Sequence, residues 1–149
     1  MRLEHPHELL RDYPVVISLA VEWGDQDIFA HVNNTVYFRW CETARAVYLD
    51  RAGMWGMIAT ERKGPILASI GCNFRRAVTF PDTIHAGARI SKMGNSSLEM
   101  EHVIASESAG ELVADAKSTI VFFDYAAGRS LPLPDSIREA IRKMEGREF

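Results

Sequence analysis

The stretch from Asn34 to Gly53 constrains the fold more than any other part of the chain, because it reads as a helix that needs cover on several sides. At about 100° per residue, Val36, Tyr37, Trp40, Cys41, Ala44, Val47 and Tyr48 form one broad apolar arc. Phe38 and Leu49 fall outside the arc, and Arg39, Thr43 and Asp50 lie opposite it. Asn33 or Asn34 suits the start, since a short side-chain oxygen accepts one of the free N–H groups of a first turn, and Gly53 suits the end. So wide an arc predicts a helix held in the grip of a sheet.

The flanking sequence supplies that sheet. Val15 to Trp23 reads as a strand running into the polar turn Gly24-Asp25-Gln26-Asp27. After the helix come four more strand-like stretches, Leu67 to Phe80, Thr83 to Met93, Ser97 to Ser106 and Glu111 to Asp124. Turn signals separate them at Pro81-Asp82, Gly94-Asn95 and Ala109-Gly110, so they form hairpins. Alternation places Ile84, Ala86, Ala88 and Ile90 on one face, joined by Leu98, Met100 and Ile104 and by Leu112, Ala114, Ala116, Ile120 and Phe122. The small alanines let a helix approach closely. A last helix is expected over Ile137 to Met144, with Ser136 and Glu139 spaced as a capping box. The predicted architecture is one α+β domain over residues 1–149, a curved antiparallel sheet wrapped around the long helix.

Composition excludes several roles. A formal net charge of −3 offers nucleic acid or an anionic membrane no sequence-wide attraction. No apolar run approaches the length of a membrane span, and the polar opening Met1 to Pro14 lacks the apolar centre of a signal peptide, so a cytoplasmic protein is expected. Cys41 and Cys72 sit in apolar surroundings without CxxC spacing and read as buried free thiols. His5, His7, His31, His85 and His102 have no metal-ligand spacing, so neither metal nor other cofactor is expected.

The chemistry concentrates in Glu22 to Asn34, where the first strand hands over to the long helix. A helix start presents free N–H groups and partial positive charge, which polarise a carbonyl and hold the oxyanion formed on attack. A carboxylate a few residues upstream can then act as nucleophile or as general base for water. Two Asp residues, a histidine and two Asn residues meet there.

The stretch GDQDIFAHVNNTVYFRWCETARAVYLDRAG, residues 24–53, resembles the 4-hydroxybenzoyl-CoA thioesterase family of hotdog-fold acyl-CoA thioesterases. The shared pattern is Asp-x-Asp, then His-Val-Asn-Asn, then Tyr, Glu and Arg along the helix, closing on Gly. Weaker agreement runs through Phe74-Arg75-Arg76, Pro81-Asp82, Gly94 to Leu98, Glu111 to Ala114 and Gly128 to Pro134. The resemblance implies the hotdog fold and hydrolysis of acyl-CoA or acyl-carrier-protein thioesters. It implies that Asp27 is the catalytic carboxylate, attacking directly or activating water, and that Asp25 is structural. The N–H near Asn34 would polarise the carbonyl, with His31 and Asn33 shaping the pocket or placing water. Arg76 and Ser97 are the implied substrate-binding residues, among the strand and turn polar groups Arg75, Arg89 and Lys92. His31-Val32-Asn33-Asn34 stands where the benzoyl enzyme has an apolar and aromatic stretch, so a 4-hydroxybenzoyl substrate is not implied.

Glu42 and Arg45, at i and i+3, read as a structural ion pair, or alternatively Glu42 is the catalytic acid, as in another hotdog group. Two other activities stand as alternatives, a hotdog enoyl-CoA hydratase and a non-catalytic acyl-thioester binding protein. The apolar arc exceeds what one sheet covers and the family builds its sites between subunits, so a homodimer or homotetramer is expected.

Overall fold

The structure, a computed structural model, describes residues 8–149; His5 and His7 lie outside the described residues. In chain order the elements are β1 (Val15–Ala20), a 3-10 turn (Trp23–Asp25), α1 (Asn34–Arg51), α2 (Met54–Glu61) and β2 (Lys63–Phe74). Then follow β3 (Thr83–Met93), β4 (Ser97–Ser106), β5 (Glu111–Asp124), β6 (Arg129–Ser130) and α3 (Asp135–Glu145). The main strands pair antiparallel in the order β1-β3-β4-β5-β2, with β6 added to β5.

One face of this sheet carries the core. Trp40, Cys41, Ala44 and Tyr48 of α1 are buried together with Ile84, Ala86, Ala88 and Ile90 of β3, Met100 and Ile104 of β4, and Ala114, Ala116, Ile120 and Phe122 of β5. Four of the sheet residues are alanines, so the floor is low and the helix can settle into the curve of the sheet. The opposite face is covered by the chain before β1. Leu10 is buried there with Val103 and Ala105, and Tyr13 packs against them. A Cβ on Gly87 would come within 2.9 Å of the Tyr13 ring, so only glycine lets that ring lie on β3.

Several sequence expectations shift. β1 ends at Ala20 rather than Trp23, because the Asp25 carboxylate takes the Glu22 N–H at 2.8 Å and curls residues 23–25 into a 3-10 turn. β2 occupies Lys63–Phe74 rather than Leu67 to Phe80. Beyond Phe74, the N–H groups of Arg75 and Arg76 both turn to the Val113 carbonyl. Val78 C=O then takes the Val32 N–H at 2.8 Å, and Phe80 N–H donates to the Gln26 carboxamide at 3.0 Å. The alternating Val78 and Phe80 thus brace the loop before α1 instead of extending a ladder.

The helix α2 was not foreseen from its sequence, because Gly56 interrupts the pattern; it begins directly after Gly53, whose φ of 91° closes α1. α3 starts at Asp135 with Pro134 at the N-cap, so Ser136 lies inside the helix and the expected capping box does not form. Leu112 was expected beside Ala114. A register shift between Ile104 and Ala105 turns it instead to the outer cluster with Val103 and Ala105. Leu49 is buried although it lies outside the expected arc, and Cys72 is only half-buried while Cys41 is fully buried. Among the described residues no helix is long and apolar enough to cross a membrane.

The concave face also holds an imidazole. Burial, reinforced by the Arg45 cation, pushes the His102 pKa down to about 4 from 6.5. Below pH 6.5 the unfolded chain takes up a proton that the folded ring refuses, so this contribution to stability is complete above pH 6.5 and is lost as pH falls toward 4. The expected total loss is roughly 3 kcal/mol. Urea unfolding at about pH 7 and about pH 4.5 measures it. A His102→Gln protein should lose correspondingly less stability over the same interval than the parent, and an identical loss in both would contradict this account.

Candidate active site

The two acids of the Asp-x-Asp motif occupy different environments. Asp25 is 5% exposed and holds three parts of the chain together. Its carboxylate accepts the Glu22 N–H at 2.8 Å and pairs with Arg39 of α1 at 2.7 Å, while its carbonyl accepts the Asn33 N–H at 2.9 Å. A buried carboxylate is tolerated when its oxygens find donors, and here each oxygen has one. The expectation that Asp25 is structural agrees with these contacts.

Asp27 is exposed, at the head of a tight turn. Its N–H donates to the His31 carbonyl at 2.9 Å, and its carbonyl accepts the Ala30 N–H at 3.0 Å. Ala30 closes the turn at φ 58°, a left-handed conformation that non-glycine residues seldom adopt. Asp27 Oδ1 accepts the Phe29 N–H at 2.9 Å, which orients the carboxylate and leaves Oδ2 without a hydrogen bond among the described residues. Bridge pairing of Gln26 with Val32 ties the base of the turn together.

α1 starts where this turn ends. Asn33 is the N-cap, and its Oδ1 accepts both the N–H and the hydroxyl of Thr35 at 2.9 Å. The Val36 N–H goes to the Asn33 carbonyl. Asn34 is the first helical residue and exposed, in the position whose N–H has no intrahelical acceptor.

Asp27, His31 and Asn34 line one cavity of about 440 Å³, together with Phe29, Tyr37 and Arg76. Phe74, Arg75 and Ala77 complete the far wall. Tyr37 anchors that wall by donating its hydroxyl to the Arg76 carbonyl at 3.1 Å, and burial raises its pKa. Arg75 is held by Asp115 at 2.7 Å, and Arg76 pairs with Glu111. The Asp115 partner raises the Arg75 pKa. The wall residues Phe74 to Ala77 were missed from sequence apart from the arginines, since nothing in the local pattern indicates that the end of β2 returns to the start of α1.

Two candidates lie apart from this cavity. Ser97 is on the β3-β4 hairpin, where its carbonyl accepts the Gly94 N–H at 2.8 Å, and it is not among the cavity's lining residues. Glu42 lines a separate cavity of about 310 Å³ with Arg45, Leu49, Trp55, Pro65, Leu67 and Ile120. The expected ion pair between Glu42 and Arg45 does not close. Arg45 Nη1 is buried without a hydrogen-bond partner while Glu42 stays exposed, so the two charges act on each other only across a gap. A third cavity, about 490 Å³, opens on the outer face. Several of its charges are engaged: Arg89 pairs with Glu101, and Arg147 donates to the Ile90 and Ser91 carbonyls. Cys41 is no nucleophile, because burial pushes its thiol up to about 12. Among the described residues no group of three His, Cys, Asp or Glu side chains is placed to hold a metal.

A curved antiparallel sheet around a central helix is the hotdog fold of thioester hydrolases. The chain belongs to the thioesterase-like superfamily, whose family model matches residues 21–141. It is 27% identical over 118 residues to the long-chain acyl-CoA thioesterase FadM of Escherichia coli K12, covering 79% of this chain and 89% of that one. A thioesterase from Thermus thermophilus, solved with coenzyme A and zinc, superposes with a TM-score of 0.83 at 32% identity, covering 94% of this chain and 100% of that chain. The PA5185 protein of Pseudomonas aeruginosa PAO1 superposes with a TM-score of 0.79 at 29% identity, covering 90% and 93%.

The different duties of the two acids are measurable. Asp25→Asn should destabilise the protein by about 1–3 kcal/mol, because a buried donor loses its charged acceptor, whereas Asp27→Asn should shift stability by less than about 0.5 kcal/mol. Thermal unfolding of both variants checks this, and the reverse ranking would contradict it.

Proposed function

We propose that the chain hydrolyses acyl-CoA thioesters, with Asp27 as the reacting carboxylate. The observation that carries the reading is that Asp27 and the first residue of α1, Asn34, line one cavity. With the thioester carbonyl oxygen at the Asn34 N–H, the helix start stabilises the oxyanion that forms on attack. Asp27 either removes a proton from water, whose hydroxide adds to the carbonyl, or adds to it directly to give an acyl-enzyme anhydride that water then cleaves. In both routes the C–S bond breaks from the tetrahedral adduct and the thiolate leaves as the thiol after protonation. Asn33 sets the helix cap, and His31 borders the space where water would stand. Coenzyme A is the favoured carrier because FadM acts on acyl-CoA and the Thermus relative was solved with coenzyme A. Arg76, at the cavity wall beside Arg75, is the proposed contact for its phosphates.

Glu42 is the second reading, supported by its place in an apolar cavity beside Arg45. The two separate by substitution. Asp27→Asn should lower kcat at least roughly 10²-fold, near 2.7 kcal/mol, with binding retained. If Glu42→Gln abolishes turnover in a folded protein while Asp27→Asn costs less than about tenfold, the reacting carboxylate belongs to the helix.

The chain is proposed to act as a homodimer or a dimer of dimers. Among the described residues β2 ends the sheet as an unpaired edge, and Ile28 and Phe29 beside the site are 93% and 77% exposed. An open edge and bare apolar side chains both favour cover by a second copy. Ser97, remote from Asp27 within one chain, would then meet substrate from the partner side. Sedimentation at micromolar protein should give dimer or tetramer; a fully active monomer would overturn this.

A further inference from the structure

The turn that carries Asp27 stands on a narrow two-stranded base. On either side of the Gln26 and Val32 bridge, Asn33 N–H donates to the Asp25 carbonyl and Asp27 N–H to the His31 carbonyl, both at 2.9 Å. Those flanking bonds make Gln26 and Val32 a pair that does not bond to itself, so their own N–H and C=O groups point outward. Val32 uses this directly, its N–H meeting the Val78 carbonyl at 2.8 Å. Two residues further along the connector, Phe80 N–H goes to a side chain instead, Gln26 Oε1 at 3.0 Å. The Gln26 carboxamide thus stands in for a main-chain carbonyl and supplies a second rung between the Asp27 turn and residues 78–80.

These rungs join the two walls of the cavity. Asp27, His31 and Asn34 lie on one side and residues 74–77, which continue into the connector, on the other. The Val32 rung and the Tyr37 hydroxyl on the Arg76 carbonyl hold the arm that leads into α1. Gln26 holds the other arm, next to Asp27 in sequence. The Asp27 carboxylate has no hydrogen bond outside its own turn among the described residues, its one contact being the Phe29 N–H. Its placement against the opposite wall is therefore inherited from the base of the turn.

The chemistry of the rung suits glutamine. Phe80 N–H needs an acceptor, which an aliphatic side chain of the same length lacks, and asparagine is one methylene short. Gln26 is not among the residues lining the cavity, so its influence on the reaction would pass through Asp27. The bond is at the surface, with Phe80 40% exposed, and water can replace it without an unsatisfied buried group, so folding depends on it little.

We propose that Gln26 is a positioning residue for the hydrolysis: by holding Phe80 N–H, its carboxamide oxygen fixes the Asp27 turn against the wall formed by residues 74–77. This rests on the reading of Asp27 as the reacting carboxylate. Displacing a reacting group by about 1 Å costs on the order of 10²-fold in rate even when the group itself is intact.

The test combines thiol release, using the fastest member of a saturated acyl-CoA panel, with amide exchange at Phe80 and thermal unfolding. Gln26→Met removes the acceptor at constant length, Gln26→Asn withdraws it, and Gln26→Glu keeps it. The Met and Asn variants should each lose roughly tenfold in kcat with KM changed less than about twofold, and Phe80 N–H should exchange faster in both. Gln26→Glu should recover most of the rate and the protection. On an Asp27→Asn background, Gln26→Met should cost less than about twofold more, because the group it positions is already gone. If one of the two acceptor-removing variants does not fold, the other decides alone. Parental kcat in the folded variants overturns the positioning role, as does a Glu variant with Phe80 protected but the rate as low as in Gln26→Met. A full tenfold loss on the Asp27→Asn background also overturns it, since the site is then merely loosened. An Asp27→Asn protein within about tenfold of the parent sinks the assignment of Asp27 and this proposal with it, and a parent that turns over no member of the panel sinks the hydrolase reading itself.

Discussion

The closeness of α1 to the sheet governs the rest of the molecule. Ala86, Ala88, Ala114 and Ala116 leave the floor low, and Trp40, Cys41, Ala44 and Tyr48 fill the space above it. Apolar area removed from water stabilises by roughly 25 cal/mol per Å², so this contact dominates the fold. The first residues of the helix, Asn34 and Thr35, remain exposed. The N–H groups of that first turn can then meet a ligand entering from solvent. A bulkier floor would lift the helix and separate its start from Val78 and from Arg76, whose carbonyl holds Tyr37.

Two acids one residue apart in the motif occupy opposite environments. Asp25 is surrounded by donors and fastens the 3-10 turn to Arg39 and Asn33. Asp27 keeps one oxygen unbonded and stays in solvent. The proposed reacting carboxylate would need that freedom, and the fixed neighbour supplies rigidity to the turn that carries it. Tyr48 and Glu145 work similarly at the other end of α1. The Glu145 carboxylate takes the Tyr48 hydroxyl at 2.5 Å and the Ile90 N–H at 2.9 Å, joining α3, α1 and β3. Burial, and then that hydrogen bond, raise the Tyr48 pKa.

Much of this could be read in the sequence because the signals were local. The helix, its Asn cap, its closing glycine, the hairpin turns at Gly94-Asn95 and Ala109-Gly110 and three of the strands followed from spacing and turn chemistry, and the motif resemblance supplied the hotdog fold; the expected hairpin at Pro81-Asp82 does not form, because β2 pairs with β5 and β3 with β1 and β4. Misreadings arose where distant groups decided the outcome. Val78 and Phe80 alternate like a strand, yet their partners are Val32 and Gln26. Leu112 lost its expected face to an extra residue, Val113, in its own strand. Glu42 and Arg45 have ion-pair spacing, but the sheet draws the guanidinium inward, a preference that helix geometry alone cannot express. The buried polar atoms of Arg45, His102 and Ser118 belong to three different elements, and none of those elements signals their burial.

Strand order has a consequence for how the loop around Asp27 is assembled. β1 and β2 follow one another in sequence through α1 and α2 but occupy opposite edges of the sheet. The ladder between β1 and β3 joins Ala20 to Thr83, so it closes a loop of chain that contains the motif, both intervening helices and β2. Loop-closure entropy grows only logarithmically with length, but contacts this far apart in sequence form slowly compared with a hairpin. The Val21 N–H bond to the Asp82 carbonyl and the Val32 N–H bond to the Val78 carbonyl are both contacts of this long-range kind. The loop around Asp27 therefore acquires its shape together with the closing of the sheet, and a chain that has formed only the β3-β4-β5 meander has a floor but neither the helix seated on it nor the cavity beside Asp27.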